Sequence, residues 1–106
     1  MQSINRGQSV VGFVMITSEE KKTICDISRK YNAKLVLLFG ASLAGTGHDI
    51  DLAVEGVLPG KFYDFYGELV FSLTKPVDLI DLTGTSKFIE MIRREGVSLY
   101  GRFSVY

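Results

Sequence analysis

The most constraining feature of this 106-residue chain is the apolar run from Lys34 to Phe39, Lys-Leu-Val-Leu-Leu-Phe, closed by Gly40. An uninterrupted run of this length and β-branched or aliphatic make-up, stopped by glycine, reads as a strand buried on both faces. A strand buried on both faces needs cover on each side, so the rest of the chain has to supply helices. Upstream, Thr17-Ser18-Glu19-Glu20 reads as a capping box, followed by Ile24, Ile27 and Tyr31 at helical spacing, with Asn32 as the stop. Downstream, Asp49 to Val54 alternates acid with apolar and reads as a second strand. Lys61 to Thr74 carries Phe62, Tyr66, Leu69 and Leu73 at helical spacing, with Phe65 alongside. Pro76 then opens a third strand, Val77 to Leu82.

Gly84 breaks that strand, and Thr85 is the expected cap of a last helix with apolar positions Phe88, Ile89 and Ile92. Arg93 and Arg94 fall in its final turn, where the helix dipole favours cations, and Gly96 stops it. Val97 to Tyr106 alternates well enough to be a further strand. Helices alternating with strands in one chain of this length predict a single α/β (α+β) domain, helices flanking a sheet. Residues 15–106 form that expected domain, and residues 1–14 an extension of unassigned role. The segment Val10 to Ile16 is short and has no small-residue cleavage site after it, so it reads as an added strand or upstream extension rather than a signal peptide.

Composition narrows the functional classes. Hydrophobic residues are 46% and charged residues 23%, the make-up of an ordered globule. Twelve basic and twelve acidic side chains cancel, so nothing draws the chain to nucleic acid in general. An anionic ligand has to be met locally, by a loop, a helix end or a metal. No apolar run approaches the ~20 residues of a membrane span. The one cysteine, Cys25, excludes an intramolecular disulfide or a cysteine-based zinc site, is read as a half-buried structural thiol, and fits a cytoplasmic setting.

Chemistry concentrates between Gly40 and Asp51. The stretch from Gly40 to His48 holds three glycines and mostly small residues, which predicts a tight loop. Such a loop lets backbone N–H groups approach phosphate oxygens, and Ser42 and Thr46 can add hydroxyls. Asp49 and Asp51 lie two apart on a strand and so project together. Carboxylates held so close call for a shared proton or a hard cation such as Mg2+. A third carboxylate is offered by Val77-Asp78-Leu79-Ile80-Asp81-Leu82. Asp78 and Asp81 face opposite sides of the sheet, only one can join the pair, and periodicity leaves both open. His48 is read as a loop bystander, and the aromatics Phe62, Tyr63, Phe65 and Tyr66 as core, with Tyr63 the exception.

Phe39-Gly40 and its loop, Asp49-Ile50-Asp51-Leu52, the Val77-to-Leu82 run and the closing Ile92 to Tyr100 together resemble the minimal nucleotidyltransferases of the DNA polymerase beta-like superfamily. The resemblance spans about Met15 to Tyr100. It implies the nucleotidyltransferase fold, a small mixed sheet flanked by helices. It implies that Asp49, Asp51 and Asp78 are the metal ligands and catalytic acids, with Asp78 on the acceptor side. Gly40, Ala41 and Ser42 would hold the triphosphate. In such enzymes Mg2+ anchors the triphosphate, commonly ATP, and activates an acceptor hydroxyl for attack on the α-phosphorus, with loss of pyrophosphate. Small members pair with HEPN-type proteins as toxin–antitoxin modules, so the resemblance implies a partner protein as acceptor, modified on a tyrosine or similar hydroxyl.

This chain departs from the family pattern in three places. Ala41 stands where the motif has serine, with Ser42 one place later; the loop to Asp49 is short; and Ser42-Leu43-Ala44 lacks the usual arginine. The alternative expectation is therefore a weakened or inactive module that binds a partner. With so little surface to enclose a substrate, a homo- or hetero-oligomer also fits.

Overall fold

The structure, a computed structural model, describes residues 16–44 and 48–101. The predicted extra strand over Val10 to Ile16, all but its last residue, and the end of the predicted terminal strand, residues 102–106, lie outside them.

Helix α1, Ser18–Lys30, starts on the expected capping box. Glu20 N donates to Thr17 Oγ1 at 3.0 Å, and Thr17 N donates to Glu20 Oε1 at 2.9 Å. Two N–H groups that no helical carbonyl can reach are thereby satisfied. Ile24 and Ile27 are buried, Tyr31 forms the C-cap, and Asn32 leaves with φ 58°, a left-handed conformation asparagine tolerates. Thr17→Ala should cost about 1 kcal/mol. A thermal melt would then fall by about 4–8 °C.

Strand β1, Leu35–Leu38, is buried at every position, as a strand covered on both faces must be. It sits centrally in a four-stranded sheet of order β3-β2-β1-β4. Strand β2, Ile50–Glu55, and strand β4, Val97–Gly101, flank β1 antiparallel, while β3, Val77–Asp81, runs parallel to β2. A parallel pair needs a crossover, and helix α3, Phe62–Ser72, provides it after a 3-10 turn over Pro59–Lys61.

Strand alternation sorts the side chains between two layers. Val36, Leu38, Ile50, Leu52, Val54, Val77 and Leu99 pack with Ile24 and Ile27 of α1 and with Phe65 and Leu69 of α3. On the other face Leu35, Leu37 and Ala53 pack with Leu82 and with Ile89 and Ile92 of helix α4, Lys87–Glu95. Fully burying one such large side chain is worth about 1.5–3 kcal/mol. Asp51 shares the parity of Ala53, so it lies on the α4 side.

Three local expectations are corrected. The stretch after Gly40 is not loop throughout: Ala41–Ala44 forms a short helix, α2. Gly40 turns the chain with φ 69°, and its carbonyl accepts Leu43 N at 3.0 Å, which closes the turn. Ser86, not Thr85, caps α4, its Oγ accepting Ile89 N at 3.2 Å. Both residues carry a hydroxyl, and only Ser86 stands three places before that free N–H. Phe88, expected among the apolar positions of α4, is 48% exposed.

Candidate functional site

The site forms where β1 ends. Phe39 N donates to Asp51 O at 3.0 Å, which fixes the residue just past β1 against the start of β2. Gly40 then turns into α2, bringing Ser42 back over the start of β2. The Ser42 hydroxyl is buried, accepts Asp51 N at 2.9 Å and lies 2.9 Å from Asp49 O, to which it donates. Asp51 Oδ2, at 3.3 Å, is the alternative acceptor for the same proton. Ser42 thus ties the α2 turn to the first residues of β2. Gly40 is required beside it: a Cβ there would lie 2.9 Å from Asp51 Oδ2, at a φ that side chains disfavour.

The parallel register pairs Asp51 with Asp78. Burial raises the Asp51 carboxyl above the usual range, and the charge of Asp78 raises it further. Hydrogen bonds from Ser42 pull the other way without prevailing. Among the described residues no lysine or arginine forms an ion pair with Asp51, Asp78 or Asp49. Two facing carboxylates with no cation between them present hard oxygen donors, which fit Mg2+. Gly40 leaves open the space next to one of those oxygens that a Cβ would fill.

A cleft of about 520 Å³ opens over this pair. Asp51 and Asp78 line it, with Phe62, Tyr63 and Tyr66 from α3 on one side and Phe39 and Phe88 on the other. Tyr66 is anchored by donating its hydroxyl to Val77 O at 3.2 Å, beside Asp78. Phe39 and Phe88 meet edge to face at 6.1 Å between centroids. Sequence reasoning put Phe62 and Tyr66 in the core, and each is in fact half-buried, packed on the core and open to the cleft. The available signal was topological, since a crossover helix has to end its path next to the strand it feeds.

The remaining expected residues divide. Asp49, exposed, precedes β2 and engages Ser42 through its carbonyl, and no group of three His, Cys, Asp or Glu side chains among the described residues is arranged to hold a metal. The structure therefore brings Asp51 and Asp78 together and leaves Asp49 at the margin. Asp81 turns to its own loop, where it accepts Thr83 N at 2.9 Å. His48 is exposed. Thr46 lies outside the described residues. Arg93 bonds Glu55 at 3.0 Å and Leu82 O at 3.2 Å, which makes it a clamp on the sheet. Cys25 donates to Leu99 O at 3.1 Å, a structural contact between α1 and β4.

A mixed four-stranded sheet between helices, with acids on adjacent parallel strands beside a Gly-led turn, is the nucleotidyltransferase fold. Solved structures bear out this class and the resemblance to minimal nucleotidyltransferases. The chain is similar to a toxin–antitoxin solved with AMP-PNP, at 27% identity and a TM-score of 0.65, over 77% of this chain and 73% of the other. It is also similar to the toxin–antitoxin MntA-HepT, at 24% identity and a TM-score of 0.63, over 81% and 74%. A third similar structure, from Shewanella oneidensis, is of a tri-AMPylated HEPN toxin in complex with MNT antitoxin, at 24% identity and a TM-score of 0.64, over 82% and 74%. No protein-family model matches the chain, and no curated protein does. Among the described residues no helix is long and apolar enough to cross a membrane.

Proposed function

We propose that the chain is a minimal nucleotidyltransferase of the antitoxin type, moving a nucleoside monophosphate from a Mg2+-bound triphosphate, ATP by preference, to a hydroxyl of a HEPN-type partner. The observation that carries this reading is the Asp51–Asp78 pair, in register on parallel strands and without an ion-pair partner among the described residues. Asp51 and Asp78, with Asp49 just upstream, would hold Mg2+, which supplies charge neutralisation for the triphosphate and a more acidic acceptor hydroxyl. Gly40 keeps the backbone beside Asp51 clear, and the turn through Ala41 and Ser42 offers N–H groups to phosphate oxygens. Asp78 faces the aromatic cleft and bears on the acceptor. Toxin–antitoxin complexes among the similar structures support the HEPN-type partner, and a cytoplasmic setting goes with it.

A second reading, a non-catalytic module that binds and masks a partner, draws on Ser42. Its hydroxyl is already engaged with Asp49 O and Asp51 N, and Ala41 offers none. Calorimetric titration of ATP with and without Mg2+ separates the two. Metal-dependent binding that vanishes in Asp49→Asn/Asp51→Asn is the expected result. Absence of binding under every condition would leave the partner-binding module standing instead.

A further inference from the structure

We infer that Tyr63 is a self-acceptor: in the absence of a partner its phenol takes the nucleoside monophosphate, giving a chain modified on its own cleft. This rests on the nucleotidyltransferase reading above. Three observations point to Tyr63. It is 79% exposed yet lines the same cleft as Asp51 and Asp78. It lies one helical turn before Tyr66, whose hydroxyl is pinned 3.2 Å from Val77 O, so the first turn of α3 is held next to the residue preceding Asp78. Its ring stacks edge to face on Phe62, at 5.5 Å between centroids, while its hydroxyl has no hydrogen-bond partner among the described residues.

Among the described residues the competing phenols are engaged or lie elsewhere. Tyr66 donates to Val77 O, and Tyr31 donates to Glu68 Oε2 at 2.6 Å on the far side of α3. Tyr100 lies on β4, away from the cleft, under the guanidinium of Arg29. Tyr63 alone among these combines access, freedom and proximity to the acids.

The step balances without any further reagent. The Tyr63 phenolic oxygen bonds to the α-phosphorus of a nucleoside triphosphate, and the bond from that phosphorus to the α–β bridging oxygen breaks. Pyrophosphate departs with the electron pair, and the phenolic proton passes to the Asp78 carboxylate. A nucleotidylated Tyr63 would occupy the cleft and exclude an outside acceptor, so a partner would compete with Tyr63 for the nucleotidyl group only before that bond forms.

The test uses the full chain with Mg2+ and ATP, GTP, CTP or UTP in turn, read by intact-mass and peptide mass spectrometry, with triphosphate binding followed by calorimetry. The expected result is one nucleoside monophosphate per chain, mapped to Tyr63 and reduced to background in Tyr63→Phe. That variant should keep the wild-type melting temperature, because the residue is exposed. Triphosphate binding with no adduct, or an adduct that persists in Tyr63→Phe, overturns the inference and leaves the nucleotidyltransferase reading in place. Failure to bind any triphosphate overturns both.

Discussion

Asp51→Asn and Asp78→Asn should separate binding from transfer. Removing the Asp51 charge is expected to abolish Mg2+-dependent triphosphate binding and to cut transfer by at least about 100-fold, since a metal ligand and its charge go together. Asp78→Asn should weaken triphosphate binding less than Asp51→Asn does while transfer falls comparably, because its carboxylate bears on the acceptor as well as on the shared cation. Calorimetry and a transfer assay on the same preparations check the contrast, and equal loss of binding in both variants would sink the division of roles.

The same Asp51 variant has a second, opposite effect on the metal-free fold. Burial and the neighbouring Asp78 raise the Asp51 carboxyl, so the folded state holds that proton more tightly than the unfolded chain does. The unfolded chain therefore ionises first as pH rises, and this group costs stability progressively from its ordinary carboxylate range upward through its raised value. Metal-free wild type should lose stability over that interval, and Asp51→Asn should not. At neutral pH the metal-free variant should melt above wild type. Melts across acidic to neutral pH test the sign directly.

The second large effect is expected at Gly40. Gly40→Ala forces a Cβ into a left-handed turn and to 2.9 Å from Asp51 Oδ2. The backbone strain costs about 1–2 kcal/mol, which a denaturant titration would register. The site should suffer more than the fold, because the near atom is the end of a short side chain that can rotate away. Once rotated, the carboxylate no longer faces Asp78. Triphosphate affinity is thus expected to drop by at least about tenfold, well beyond what the stability loss explains, since placement of the reacting groups sets such rates and affinities. A variant that lost stability yet bound triphosphate normally would show that the open space beside Asp51 is incidental.

Much of this architecture was legible because it depends on local chemistry. The Thr17–Glu20 box, the apolar run of β1, the alternation of β2 and the stop at Gly96 each need only neighbouring residues, and each fell within a residue or two of its place. The central position of β1 followed as well, from a strand with no polar face. Failures came where two nearby residues offered the same chemistry or where partners lay far along the chain. Thr85 and Ser86 both supply a hydroxyl, and only the register of α4 decides between them. The α2 turn has no apolar periodicity to announce it, being four residues long and set by the Gly40 conformation. The burial of Ser42 was equally hidden, for its partners are the backbone atoms of Asp49 and Asp51. Parity separated Asp78 from Asp81 as belonging to opposite faces, but which face met Asp51 depended on the pairing of two strands 27 positions apart in register.

That pairing has a consequence for how the molecule lives with its ligand. Strand β3 is the outer member of the sheet, attached to the rest through one ladder with β2 and the helix that crosses over it. If this rim peels, Asp78 departs from Asp51 while β1, β2 and β4 keep their ladders. The Asp51–Asp78 pair is thus stitched across the seam that opens most readily. A cation shared by the two acids would act as a rivet through that seam, and whatever loosens the rim would equally weaken the grip on the metal. Under the proposed function, metal binding and the integrity of one sheet edge would be the same event seen from two sides.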